Sequence, residues 1–419
     1  MNKEFYIQNR SRLTDVLPPN SVTILFAGDA PFKTADEQYK FTPNRNFYYL
    51  TGINEPNVTL VIKKSGEDVS ETLFIAKADP VMEKWVGKTV SEEEAKAISG
   101  IESVAYHESF EGMLTRTFFT ENSELICLDL ERREWAGSQT KTLQFANHIK
   151  DNYPHVAIQN VYPAICELRV IKTDEEIQKI KEAIAITKEG IYNVLKHAKP
   201  GMMEFELEAH FDYTLKSKGV RDFAFGTITA SGKNATVLHY EQNNAKTNSG
   251  DLVLLDLGAQ KDYYNADISF TFPVDGTFTP RQKEIYNIVH KALKETTELV
   301  KPGLMYSELD AHARKVLGEE LKRIGLIQDI TELSNYYYHG VGHFLGLDTH
   351  DVGTYKDRVL QPGMVLTIEP GLYIAEESIG IRLEDDILVT ADGYENLSRD
   401  IIRSTEEIET FMAENKQLV

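Results

Sequence analysis

Lys199-Pro200-Gly201-Met202-Met203-Glu204-Phe205-Glu206-Leu207-Glu208-Ala209-His210 returns later in the chain as Lys301-Pro302-Gly303-Leu304-Met305-Tyr306-Ser307-Glu308-Leu309-Asp310-Ala311-His312. Each copy ends one helix, turns the chain at Pro-Gly and starts a new amphipathic helix. An echo this close predicts two related halves inside one domain. Between and after the copies lie strand-like segments: GDLVLLDLGA (250–259), ADISFTFPV (266–274), GMVLTIEPGLYI (363–374) and GIRLEDDILVT (380–390). Helices in two groups with interleaved strands predict an α+β layering, not a continuous parallel βαβ alternation.

Upstream of the first copy, Thr173 with Glu176 three residues later forms a capping-box pattern. It opens a long helix, EEIQKIKEAIAITKEGIYNVLKHA, that stops at Lys199-Pro200-Gly201. A domain boundary is placed between about 160 and 172, giving one domain over 1–165 and a second over 173–419. The first reads as compact α/β. FYYLTGINEPNVTLVI (47–62) carries two strand-like runs around a Gly/Asn/Pro turn. ETLFIA and ELICLDL read as further buried strands, and SEEEAKAI as a helix opening on a Ser cap.

The 419 residues are 42% hydrophobic and 26% charged, an ordinary globular composition long enough for more than one domain. A net charge of -20 argues against nucleic acid or an anionic membrane as the main partner, since both would repel the chain on average. Two cysteines, Cys127 and Cys166, make no disulfide framework and read as free thiols of a reducing compartment. The N-terminus carries no apolar signal core, and no stretch approaches the ~18 apolar residues of a membrane span. The expected location is the cytoplasm.

Four strands share an oddity. Asp256 ends the apolar run Leu252-Val253-Leu254-Leu255, and Asp267 precedes Ile268-Ser269-Phe270-Thr271-Phe272. Glu369 follows Val365-Leu366-Thr367-Ile368, and Glu384 follows Ile381-Arg382-Leu383. A carboxylate built into an apolar strand loses water at high cost unless it is paired or bound to a cation. Any one of them alone reads as well as a turn cap or the partner of a nearby Arg. Four converging in one core would repel strongly, and divalent cations are the simplest relief.

The segment 338–351, YHGVGHFLGLDTHD, adds His339, His343 and His350, out of 11 histidines in the chain. His339 and His343 have the i, i+4 spacing of a helical zinc pair. Gly340, Gly342 and Gly346 disfavour a helix there, and no Glu follows His339, so that reading is rejected. Carboxylates with one imidazole suit Mn²⁺, Mg²⁺, Fe²⁺ or Co²⁺ better than a thiolate-type zinc site. Mn²⁺ is the expected ion. An uneven ligand count also suits two ions roughly 3.5–4 Å apart, which points to metal-assisted hydrolysis of an acyl bond.

These residues in this order resemble the pita-bread metallopeptidases, the group of methionine aminopeptidase, aminopeptidase P, prolidase and creatinase. The likeness rests on LLDLGAQ…NADISFTF, HGVGHFLGLDTHDVG, IEPGLYI and GIRLEDDILVT, and spans about 175–410. FYYLTGINEPNVTLVI resembles the N-terminal domain of aminopeptidase P and prolidase. The implied fold is a C-terminal pita-bread (creatinase/aminopeptidase) domain with pseudo-two-fold halves behind an N-terminal α/β creatinase-like domain. The resemblance implies that Asp256 chelates one ion, that Asp267 and Glu384 bridge two, and that His343 and Glu369 hold the second. Glu369 would also carry a proton to the leaving nitrogen.

By the same likeness His350 would hydrogen-bond the substrate carbonyl or the tetrahedral intermediate, while His339 and His239 line the specificity pocket. Arg382 would support Glu384 and meet a downstream substrate group. Tyr373 would stand beside the site, and Trp85 would reach a neighbouring subunit's cleft. Plain alternatives exist for this outer set: a packed histidine at His239, core or interface aromatics at Tyr373 and Trp85, simple charge neutralisation at Arg382. The implied activity is release of the N-terminal residue from peptides with proline in second place, by a homodimer or homotetramer. Its rivals are an Xaa-Pro dipeptidase and a metal-free peptide-binding module.

Overall fold

The computed structural model describes residues 1–121, 123–132, 140–220 and 222–415. The chain divides after Arg169 into two compact units. The N-terminal unit holds strands β1 (Ser21–Phe26), β2 (Thr59–Ser65), β3 (Asp68–Ile75), β4 (Ser103–Tyr106), β5 (Leu125–Leu128) and β6 (Ala157–Asn160) in one sheet, ordered β4-β3-β2-β1-β5-β6. Only β2 runs against its neighbours. Helices α1 (Lys3–Val16), α2 (Arg45–Thr51), α3 (Glu83–Val86), α4 (Glu92–Ser99), α5 (Phe110–Thr115), α6 (Lys141–Asn152) and α7 (Tyr162–Val170) complete it. Ser91 caps α4 with a full capping box, as its sequence predicts.

One expectation fails locally. Phe47–Thr51 is not a strand but part of helix α2. The Asn44 side chain accepts from Phe47 N, and Gly52 ends the helix in the left-handed region at φ +69°. Cap and stop outweigh the strand preference of Phe, Tyr and Thr, whose side chains are buried as a core-facing turn.

In the second unit, α8 (Asp174–His197) starts on the predicted Thr173–Glu176 capping box and pairs with α9 (Glu204–Ser217). Helices α10 (Pro280–Thr297) and α11 (Tyr306–Arg323) form the second pair, and α12 (Thr405–Asn415) closes the chain. The strands are β7 (Ile228–Ser231), β8 (Leu252–Leu257), β9 (Gln260–Lys261), β10 (Tyr264–Asn265), β11 (Ile268–Pro273), β12 (Val365–Ile368), β13 (Gly371–Ile374), β14 (Ile379–Arg382), β15 (Asp385–Val389) and β16 (Tyr394–Asn396). They build two three-stranded sheets, β11-β8-β7 and β12-β15-β16, and two hairpins, β9/β10 and β13/β14. Among the described residues no helix is long and apolar enough to cross a membrane.

The two halves repeat in hydrogen bonds as well as in sequence. Met203 bridges Lys246, and Met305 bridges Val359. Gly201 N donates to Thr247 O and Gly303 N to Leu360 O, both at 2.9 Å. Gly250 and Gly363, both at φ +89°, then lead into β8 and β12. That conformation costs a glycine nothing and any other residue strain. One continuous core joins both halves, with Leu255, Phe270 and Phe272 from the first and Leu366, Ile381 and Ile387 from the second. Burying each such side chain contributes about 1.5–3 kcal/mol, so the strands that carry the carboxylates are rigidly placed.

Candidate metal centre

Each half delivers its carboxylates from an antiparallel strand pair. In the first, β8 and β11 pair with Asp256 opposite Ser269 and Leu257 opposite Ile268, so Asp267 emerges at the mouth of the ladder. Gly258 makes this possible, because a Cβ there would lie 1.8 Å from Ala266 O. In the second half β12 and β15 pair with Ile368 opposite Asp385, which leaves Glu369 and Glu384 at the equivalent mouth. The two mouths meet: Glu384 N donates to Ser269 O at 3.1 Å, and Asp267 N to Asp386 Oδ2 at 3.3 Å.

His343 enters on a loop without helix, tied to β12 by Thr367. Its N donates to Thr367 Oγ1 (3.1 Å), and Thr367 N donates to His343 O (2.8 Å). His343 Nδ1 lies 3.0 Å from Phe344 O. A carbonyl only accepts, so Nδ1 carries the ring proton and Nε2 offers its lone pair. That nitrogen stands 3.3 Å from Asp267 Oδ2 and 3.5 Å from Glu369 Oε1. Asp267, His343 and Glu384 each place one donor atom within 4.8 Å of the other two.

The electrostatics are those of a cluster with more buried negative charge than its one arginine offsets. Burial, then repulsion from Glu384, Asp256 and Glu369, drives the Asp267 carboxyl well above the usual carboxylate range. Burial and repulsion from Glu369 and Asp256 do the same to Glu384. Glu369 is raised by burial, with His343 and Arg382 opposing. Asp256 Oδ1 and Glu384 Oε1 are buried with no partner among the described residues. Orphaned buried oxygens of this kind call for a donor or a cation, and oxygen donors with one neutral imidazole fit hard divalent ions.

Arg382 is the buried cation of the site. Its Nη2 donates to Asp256 Oδ2 (2.6 Å), its Nε to Ser269 Oγ (2.7 Å) and its Nη1 to Tyr373 Oη (3.0 Å). It therefore reaches Glu384 only through Ser269, whose hydroxyl donates to Glu384 Oε2 at 2.9 Å. Tyr373 in turn meets His339 Nε2 at 2.8 Å. Burial and Arg382 lower His339 to about 4, which leaves it neutral near pH 7. His350 stacks edge-on against His343 at 4.3 Å and is lowered by burial and by His343. His239, exposed, is close enough to bear on the charge of both His339 and His350. Trp85 lies in the N-terminal unit on α3, four-fifths exposed.

Three further side chains hold the site, and none was singled out from the sequence. They are Ser269 and Thr367, already described, and Asp386, wholly buried behind Asp267. Ser269 stands two residues past Asp267 and Thr367 two before Glu369. On a strand that spacing means the same face, and a hydroxyl in an apolar run at that offset was the available signal.

The signature of metallopeptidase family M24 matches residues 178–391, and that of the aminopeptidase P N-terminal domain matches 6–126. The chain belongs to metallopeptidase family M24. It is 33% identical to the Xaa-Pro aminopeptidase of Escherichia coli over 98% of both chains. Among solved structures, aminopeptidase P from E. coli with the inhibitor Pro-Leu superposes with a TM-score of 0.91 at 31% identity over 99% of each chain. A Bacillus anthracis protein provisionally assigned to aminopeptidase P gives 0.99 at 69% identity over all of both. The architecture is thus the pita-bread catalytic domain with an aminopeptidase P-type N-terminal domain. The chain is a metallo-aminopeptidase, a hydrolase that works with divalent metal ions.

Proposed function

We propose that this enzyme is an Xaa-Pro aminopeptidase, releasing the N-terminal residue of peptides with proline in second place. The observation that carries this reading is the likeness to the E. coli enzyme along both domains, N-terminal domain included. Asp256, Asp267, His343, Glu369 and Glu384 would hold two ions. Such ions, when bound, acidify a water and polarise the scissile carbonyl.

The protein's own groups do the rest. Glu369, with a raised proton affinity and Thr367 fixing one oxygen, is suited to take the nucleophile's proton and return it to the leaving nitrogen. His350, open at the cluster's edge, is placed to donate to the carbonyl oxygen as charge develops there. Tyr338, His339 and His239 offer flat faces for a proline ring, with the buried Tyr373 ring packed on Tyr338 (5.3 Å) and His339 (5.6 Å). Arg382 holds Asp256 and Tyr373 in place.

Mn²⁺ is our choice of ion on donor hardness. Cys127 and Cys166, both buried and joined by no disulfide, support a cytoplasmic, reducing location. The exposed apolar knuckle of Val81, Met82, Trp85 and Val86 supports a homo-oligomer, the kind of patch a monomer seldom leaves open. Hydrolysis of an Xaa-Pro dipeptide against an Xaa-Pro-Yaa tripeptide by Mn²⁺-loaded protein tests the substrate. Turnover confined to the dipeptide would make the enzyme a dipeptidase instead.

A further inference from the structure

We infer that Lys172, through a buried ion pair with Asp351, is a positioning residue that aims His350 at the reacting carbonyl; this rests on the reading of the centre given above. Lys172 Nζ lies 2.8 Å from Asp351 Oδ2, and both side chains are 1% exposed. Two charges withdrawn so completely gain little stability over an apolar pair of similar volume. Stability alone therefore does not account for them.

What the pair holds is the loop between His343 and His350. That loop has no regular structure beyond an isolated bridge from Phe344 to Leu366. It closes on itself: Asp351 N donates to Phe344 O (2.9 Å), Gly346 N to Asp348 O (3.1 Å) and Asp348 N to Asp351 Oδ1 (3.4 Å). The Asp351 carboxylate thus sits inside the loop, one oxygen on the loop's own amide and the other on Lys172. Gly346 follows from this, since a Cβ there would lie 2.3 Å from Asp351 Oδ2 and 2.9 Å from Lys172 Cε.

Both anchors run back to the metal ligands. Lys172 N donates to Gly363 O at 2.8 Å, at the entry to β12 and Glu369. Asn265, two residues before Asp267, gives N and Nδ2 to Gly346 O at 3.0 and 3.1 Å. The two histidines differ in what holds them. His343 has Thr367 and the Phe344 carbonyl. The His350 ring makes no hydrogen bond among the described residues; it meets the His343 ring edge-on, and its aim is set by the loop that carries it, pinned next door where Thr349 Oγ1 donates to Ala224 O at 3.2 Å. Losing the pair should fall on His350 while metal binding at His343 survives.

The test uses full-length Mn²⁺-loaded protein, a chromogenic Xaa-Pro-Yaa peptide, metal analysis and thermal unfolding. In Lys172→Met/Asp351→Leu both members of the ion pair are removed together, and buried Glu176 keeps Thr173 and Tyr264 as hydrogen-bond partners. We expect wild-type metal content, a near-normal Tm, a KM changed little and a kcat lower by about 10- to 100-fold. Adding His350→Ala to that variant should make it no slower than His350→Ala alone, because both act through one imidazole. Additive losses, kcat falling in step with Tm, or metal lost with activity would each overturn the proposal. Lys172→Arg keeps a cation on Asp351 and gives the same readout should the apolar pair fail to fold. Its kcat should stand between the His350→Ala and wild-type values, and a kcat no better than His350→Ala alone would count against the proposal. A wild-type enzyme inert toward every Xaa-Pro peptide would instead sink the functional reading.

Discussion

Stripped of metal, the enzyme should lose stability as pH rises above the ordinary carboxylate range. Asp267 and Glu384 hold their protons well above the usual carboxylate range, and Glu369 is raised too. An acid whose folded pKa exceeds its unfolded value of about 4 stabilises the fold fully below that pH, and loses the contribution as pH climbs through the folded pKa. Donor oxygens of Asp267 and Glu384 lie within 4.8 Å. Two unit charges at that separation repel by about 3.5 kcal/mol at an effective dielectric constant of about 20. At roughly 2–4 °C per kcal/mol for a unit of this size, the metal-free protein should fall by about 7–14 °C in Tm. Thermal unfolding of chelator-treated and Mn²⁺-loaded protein, from pH 6.5 to 8, measures it. Over that range the depressed histidines His339 and His350 contribute no slope, since their stabilisation is complete above about pH 6.5 and lost only below it. The loaded protein should hold its Tm. A metal-free Tm that is flat or rises with pH would refute the repulsion argument.

Glu369→Gln should keep its fold and much of its metal yet lose kcat by about 10²–10⁴-fold, since a ligand and a proton carrier are removed together; near-normal turnover would contradict the role. Ser269→Ala removes the donor to Glu384 Oε2 and the acceptor for Arg382 Nε. Metal affinity, read by competition with a fluorescent chelator, should weaken by about 10- to 100-fold. Gly342→Ala would place its Cβ 2.0 Å from Thr367 O, whereas at Gly340 nothing lies within 4 Å. Only the former should lower Tm and loosen the metal; Gly340→Ala should stay within about 0.5 kcal/mol of wild type in denaturant titration.

The clustering of Asp256, Asp267, His343, Glu369 and Glu384 was legible in the sequence because an acid inside an apolar strand is anomalous wherever it occurs. The capping boxes at Ser91 and Thr173 were legible because both partners lie within one turn. Phe47–Thr51 was misread because its composition favours a strand; the decisive Asn44 and Gly52 flank the run and say nothing about its residues. Lys172 and Asp351 lie 179 positions apart. Each alone reads as a surface charge, and only the fold reveals that they meet. Arg382 illustrates the same limit at closer range: its sign was readable, but its direct grip on Asp256 and indirect one on Glu384 are geometry.

The internal echo explains why the centre has the donors it has. Gly250 and Gly363 lead into equivalent strands, and each antiparallel pair carries two acids at its mouth, Asp256 and Asp267 in the first half and Glu369 and Glu384 in the second. Duplication of one such hairpin thus supplies four carboxylates facing one another, a set symmetric in position and too negative to stand alone. Symmetry cannot supply a neutral donor or a directed proton carrier. Those come from what the halves do not share. The 343–351 loop brings His343 and His350, and Arg382 from the second half pairs with Asp256 of the first. The side left without a cation is the one where Glu369 meets His343 Nε2. The asymmetry of the chemistry, a base on one flank and a held carboxylate on the other, is therefore an addition to the repeat and not a property of it.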